Sequence, residues 1–238
     1  FIGGGNTAHS LISGLLNAGH PAERIHVTDL DQDKLAALSD EFGIQTSTDN
    51  AAAARAAEVL VLAVKPQFMA EMLEALTREL GSYGDKLVLS IAAGIQIARL
   101  SSLLGGHRNI VRAMPNTPAL IGLGMTGLYA PNDVSVTDCT FAEQMLQAVG
   151  QTVWVASEAG LNSVIAASGS APAYFFLFMQ LMAEEAERMG FSAEQARLLV
   201  QQTALGSAQM VINNPQLDLE PLRAQVTSKG GTTAEAVR

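Results

Sequence analysis

The chain contains one cysteine, Cys139, so no intramolecular disulfide can staple it, and nothing argues for an oxidising compartment. A cytoplasmic location is expected. Positive charge is also scarce: 14 lysines and arginines against 23 aspartates and glutamates give a formal charge of -9 and a pI near 4.8. Extended contact with nucleic acid needs a basic face to displace counterions from phosphates, so no nucleic-acid partner is expected. The histidines, His9, His20, His26 and His107, have no metal-ligand spacing, and no serine-nucleophile elbow is present. No metal is expected. The most apolar helical stretch, residues 171–183, carries Gln180 and is shorter than the roughly 20 residues of a bilayer span. Neither a membrane segment nor a secretory leader is expected.

What remains is apolar: 48% of 238 residues, with 16% charged, enough for one large domain or two small ones with a substantial core. Short β-branched runs at 25–27, 59–64, 87–91, 110–114, 126–130 and 152–155 alternate with helical patterns at 6–18, 31–42, 67–80, 96–104 and 136–149. "VLVLAV" (59–64) is apolar at every position, as expected of a strand buried on both faces of a parallel sheet. That order predicts an α/β fold, an N-terminal Rossmann-like doubly wound parallel sheet over 1–157. Strand signals then stop. Residues 172–189 and 192–212 predict long helices, the second opened by Ser192 and Gln195 in capping-box spacing, so 158–238 is expected to be an all-helical domain. "AYFFLFMQLM" is apolar nearly all the way round, which calls for a second copy of the chain to cover it.

The opening "FIGGGNTAHS" places Gly3, Gly5 and Ala8 in dinucleotide-fingerprint register. The first glycine makes the tight turn, the second lets a pyrophosphate approach, and the small third residue lets helix pack on strand. Asn6 and Thr7 begin a helix whose amides face the phosphates. Asp29 ends the second strand, where a carboxylate accepts from both ribose hydroxyls and repels a 2′-phosphate, favouring NAD(H); alternatively Asp29 or Asp31 caps the helix beginning near Gln32. "AVKP" (63–66), "SIAAGI" (90–95) and "RAMPNTP" (112–118) each end a strand and would face one crevice. Near the end of the chain, "VTSKGGTT" puts glycines, hydroxyls and a lysine before a helical run, as in an anion cradle or an ordinary capped turn.

Together with "ASGSAPAY" (167–174), these motifs closely resemble the pyrroline-5-carboxylate reductase family, from Gly3 to Val237. The resemblance implies hydride transfer from NADPH or NADH to the C=N carbon of 1-pyrroline-5-carboxylate, giving L-proline, and a C-terminal domain that dimerises by intertwining, often into larger rings. It further implies that Asn50 and the stretch Ala63, Val64, Lys65 and Pro66 lie along the cofactor, with Ala92 near the nicotinamide. Met114, Pro115 and Asn116 would shape the floor of the site, and Ser228, Gly231, Thr232 and Thr233 would hold the substrate. The anion in the cradle would then be the substrate carboxylate, bound by the Gly231 and Thr232 amides and the Ser228 hydroxyl, with Thr233 beside the ring nitrogen. The proton comes from Thr233, from water, or already rides on the substrate. The chain departs from the family pattern in three places: Lys229 replaces a proline, Ala171 replaces a glycine, and the turn Asp29-Leu30-Asp31 puts the usual NADPH preference in question. A β-hydroxyacid dehydrogenase would need a lysine in the long helices, which hold only Arg188 and Arg197. A non-catalytic NAD(P)-binding sensor would have no use for the cradle.

Overall fold

The computed structural model describes residues 1–238. Residues 1–3 run extended through the middle of the sheet: Ile2 bridges Thr28 on one side and Leu62 on the other, both in parallel. Outward on the first side lie β1 (His26–Thr28) and β2 (Gln45–Ser47). On the other come β3 (Val59–Leu62), β4 (Leu87–Ser90), β5 (Ile110–Met114), β6 (Gly124–Tyr129) and β7 (Gly150–Trp154), in that order. Along β3, Leu60 and Leu62 enter one apolar cluster with Met69, Leu73 and Leu100, while Val61 enters another with Leu11, Leu128 and Leu146. Both faces are therefore covered, which is why this strand is apolar at every position. The helices that cover them are α1 (Asn6–Asn17), α2 (Gln32–Phe42), α3 (Asn50–Ala56), α4 (Pro66–Leu80), α5 (Ile97–Leu103) and α6 (Val136–Gln147).

The sheet is not parallel throughout, because β6 runs antiparallel to β5. Residues 115–123 join them through a 3-10 turn at Thr117–Ile121, and a parallel pairing would need a crossover of a dozen or more residues. β2 and α3 were not expected: Gln45, Thr46 and Ser47 form a polar strand, exposed at Gln45 and half-buried at the other two, so hydrophobic periodicity leaves no trace there.

The sheet and its helices form one compact unit over residues 1–172, and residues 173–238 form a second. The first unit retains 158–172, which the sequence reading assigned to the helical domain. Leu161 and Val164 of α7 (Gly160–Val164) are buried, and a Cβ on Gly127 of β6 would lie 2.7 Å from the Val164 side chain.

The second unit takes in most of α8 (Ala171–Arg188), then α9 (Ala193–Asn213), α10 (Leu219–Gln225) and α11 (Thr232–Ala236). Ser192 accepts from the Gln195 amide and Gln195 returns the bond, completing the expected capping box. Its buried apolar side chains are only Ala186, Ala196 and Val200, whereas Phe175, Phe176, Phe178 and Leu181 are each more than half exposed. The apolar helix is longer than the stretch 171–183 read from the sequence. The helical run containing α8 extends over Gly160–Arg188, 29 residues, so its length and composition would allow a membrane span.

Candidate active site

The crevice is built at the carboxyl ends of the parallel strands. Gly3 has φ +101°, and a Cβ there would sit 2.8 Å from the carbonyl of Ala63, so only glycine can turn the chain this close to the end of β3. Gly5 faces open space, Ala8 is fully buried where α1 meets the sheet, and no side chain caps α1. The first amides of Asn6 and Thr7 are thus left for a ligand. Next to this turn Ile91 N donates to Leu62 O, which sets Ala63 and Val64 alongside buried Ala92. Lys65 precedes Pro66 at the start of α4 and is exposed; its carbonyl accepts from Phe68 N, and its ammonium makes no hydrogen bond or ion pair. Asn50 opens α3, whose cap is Asp49.

Asp31, not Asp29, caps α2, by accepting from Lys34 N. Asp29 does something else: its Oδ2 accepts from Gly4 N at 2.8 Å and from Lys34 Nζ at 2.9 Å, and its Oδ1 accepts from Asp31 N at 3.1 Å. Burial would raise its pKa, but the Gly4 amide, the Lys34 ammonium and the Asp31 amide outweigh that and hold the carboxyl below its ordinary value. Asp29 is therefore not the free carboxylate expected: three of its acceptor positions are filled within the chain.

Asn116 is likewise committed. Its amide nitrogen donates to Ser168 O and Oγ, and its Oδ1 accepts from Met125 N at 2.8 Å, tying "MPNTP" to "SGSAP" and to β6. With Met114 and Pro115, half-buried beside it, Asn116 supplies shape, not a free polar group. Sequence reasoning missed a neighbouring pair. Arg112 of β5 is 6% exposed and donates to Glu158 Oε1 at 2.7 Å, and the same oxygen accepts from Ile97 N at the start of α5. An open cleft of about 360 Å³ beside it is lined by Gly94, Gln96, Arg99 and Asn162. An arginine within the otherwise apolar "IVRAM" was the available signal, since such a charge needs a partner.

In the second unit, Gly230 has φ +75°, and a Cβ on Gly231 would lie 2.6 Å from Ser228 Oγ. The Gly231 amide, expected to bind anion, instead donates to Ser228 O at 3.0 Å and closes the turn. Thr232 and Thr233 begin α11, where no side chain caps the first amides, and the hydroxyls of Ser228, Thr232 and Thr233 make no hydrogen bond within the chain.

A glycine turn beneath an uncapped helix, with an engaged carboxylate at the end of the next strand, defines a dinucleotide-dependent oxidoreductase. Residues 1–94 match a family model described as NADP oxidoreductase, coenzyme F420-dependent, and residues 158–238 match one described as pyrroline-5-carboxylate reductase dimerisation. A pyrroline-5-carboxylate reductase of Vibrio alginolyticus is 52% identical over all of this chain and 87% of its own length. The solved structure of a pyrroline-5-carboxylate reductase from Coxiella burnetii superposes with TM-score 0.92 at 42% identity, covering 100% of this chain and 87% of that one. A Plasmodium falciparum pyrroline carboxylate reductase with NADP bound gives TM-score 0.85 at 28% identity, covering 100% and 86%. The chain belongs to the pyrroline-5-carboxylate reductase family.

Proposed function

We propose that this protein reduces 1-pyrroline-5-carboxylate to L-proline with NADPH or NADH. The observation that carries the reading is the similarity to reductases of this substrate along the whole chain. The cradle fits the cofactor: Gly3 tolerates no Cβ against Ala63, Gly5 leaves room for a pyrophosphate, and the Asn6 and Thr7 amides point outward from α1. When bound, the reduced nicotinamide supplies the hydride. Buried Ala92 lies near the nicotinamide, and Asn50, Ala63, Val64, Lys65 and Pro66 lie along the cofactor.

Ser228 and the Thr232 amide hold the substrate carboxylate, and the Thr233 hydroxyl meets the ring nitrogen. Hydride addition makes the C=N carbon tetrahedral and the nitrogen more basic, so a hydroxyl at that nitrogen binds more strongly as the reaction advances. Thr233 is on this reading the catalytic residue, and Ser228, Gly231, Met114, Pro115 and Asn116 position the substrate.

The exposed phenylalanines of α8 are covered by a second copy, as the dimerisation family match supports; with a partner on that face it is not a membrane span. The acidic chain with its single thiol works in the cytoplasm. Steady-state kinetics with pyrroline-5-carboxylate and each dinucleotide tests the reading: saturable turnover with proline as product is expected. Dinucleotide binding without turnover would favour the sensor.

A further inference from the structure

Asp29 and Lys34 form an ion pair that touches the glycine turn itself, through the bond from Gly4 N to Asp29 Oδ2. We propose that Lys34 reads the 2′-position of the adenosine ribose and makes this site accept NADP(H), resting on the assignment of the Gly3–Asp29 crevice to the dinucleotide.

A carboxylate offers about four lone-pair positions, and Asp29 has filled two on Oδ2 and one on Oδ1. The single position left serves one ribose hydroxyl, not the pair that NAD(H) would present. An ammonium has three protons, and Lys34 Nζ uses one, on Asp29. Its side chain is 38% exposed and Nζ has no other partner in the chain, so two protons remain available to a ligand. A 2′-phosphate brought here meets a neutralised pair with two free N–H donors. Repulsion by a bare carboxylate is absent, and a charge-assisted contact replaces it. The exposed carboxylates of Asp31 and Asp33 in the same stretch oppose the phosphate and keep the preference moderate. Lys34 lies near enough because the cap Asp31 starts α2 at Gln32, three residues after Asp29, so the third helical residue folds back over the strand end.

Equilibrium binding of NADP+ and NAD+ to the wild type, Lys34→Met and Lys34→Arg, by calorimetry, tests this. Lys34→Met is expected to weaken NADP+ about 10- to 100-fold, the range for a lost charge-assisted contact to phosphate. The same change frees Oδ2 and should tighten NAD+ by a few-fold, while Lys34→Arg should keep NADP+ within about threefold of wild type. If Lys34→Met weakens both dinucleotides equally, Lys34 only braces the turn; if it leaves NADP+ untouched, the phosphate lies elsewhere. Either result overturns the proposal. Wild-type protein that binds neither dinucleotide would instead overturn the crevice assignment beneath it.

Discussion

Truncating Phe178 to alanine should dissociate the assembly. Phe175, Phe178 and Met182 recur on one face of α8, and Phe178 is 65% exposed in the chain alone. An aromatic side chain carries ~150–250 Å², so about 130 Å² of this one is available for a partner to bury. At about 25 cal/mol/Å² that is roughly 3 kcal/mol per protomer, and a symmetric dimer buries it twice. Area converts incompletely into affinity, and truncations of interface anchors cost about 2 to 4 kcal/mol, so the dimer dissociation constant should rise about 30- to 1,000-fold. Sedimentation across a dilution series measures it directly. Since Ala186, Ala196 and Val200 are the whole buried apolar set of residues 173–238, the melting temperature of the variant should also fall on dilution. A wild-type chain that is monomeric, folded and active at nanomolar concentration would refute the reasoning, as would a variant whose dissociation constant is unchanged.

Gly3→Ala forces a Cβ within 2.8 Å of the Ala63 carbonyl at φ +101°; it should cost about 2 to 4 kcal/mol in denaturant unfolding and abolish dinucleotide binding in a fluorescence titration. Glu158→Ala strands the Arg112 guanidinium and frees the Ile97 amide, and should cost about 2 to 3 kcal/mol in the same assay, below the full penalty of a buried pair because Glu158 is a quarter exposed. Thr233→Val keeps the side chain's shape and should lower kcat about 10- to 100-fold, whereas Ser228→Ala removes a contact made equally before and during transfer and should mainly raise KM for the imine. Full kcat in Thr233→Val would reduce that residue to substrate positioning.

Where periodicity or local spacing decides the structure, the residues announce it. "VLVLAV" demanded two covered faces and has them, Gly3 and Ala8 sit as the fingerprint requires, and Ser192 with Gln195 closes its box. What stayed hidden depends on where the chain travels next. The reversal of β6 follows from a connection too short to cross over. Arg112 and Glu158 lie 46 positions apart, and Asn116 and Ser168 lie 52 apart, so nothing local pairs them. Asp29 read as a bare ribose acceptor because its partner, Lys34, arrives only through the first turn of α2. Gly231 read as an anion donor because the turn that consumes its amide has the same composition as one that offers it.

Isotope transfer follows hydride delivery to the C=N carbon of the cyclic imino acid atom by atom. NADPH carrying two deuterium atoms at C4 of the nicotinamide, incubated with the wild-type protein and pyrroline-5-carboxylate, should yield proline with deuterium on the ring carbon bonded to nitrogen opposite the carboxylate-bearing one. One deuteron should appear there for each reduced dinucleotide consumed, from one of the two nicotinamide faces only. Proline without label, or dinucleotide bound with no proline formed, would contradict the account.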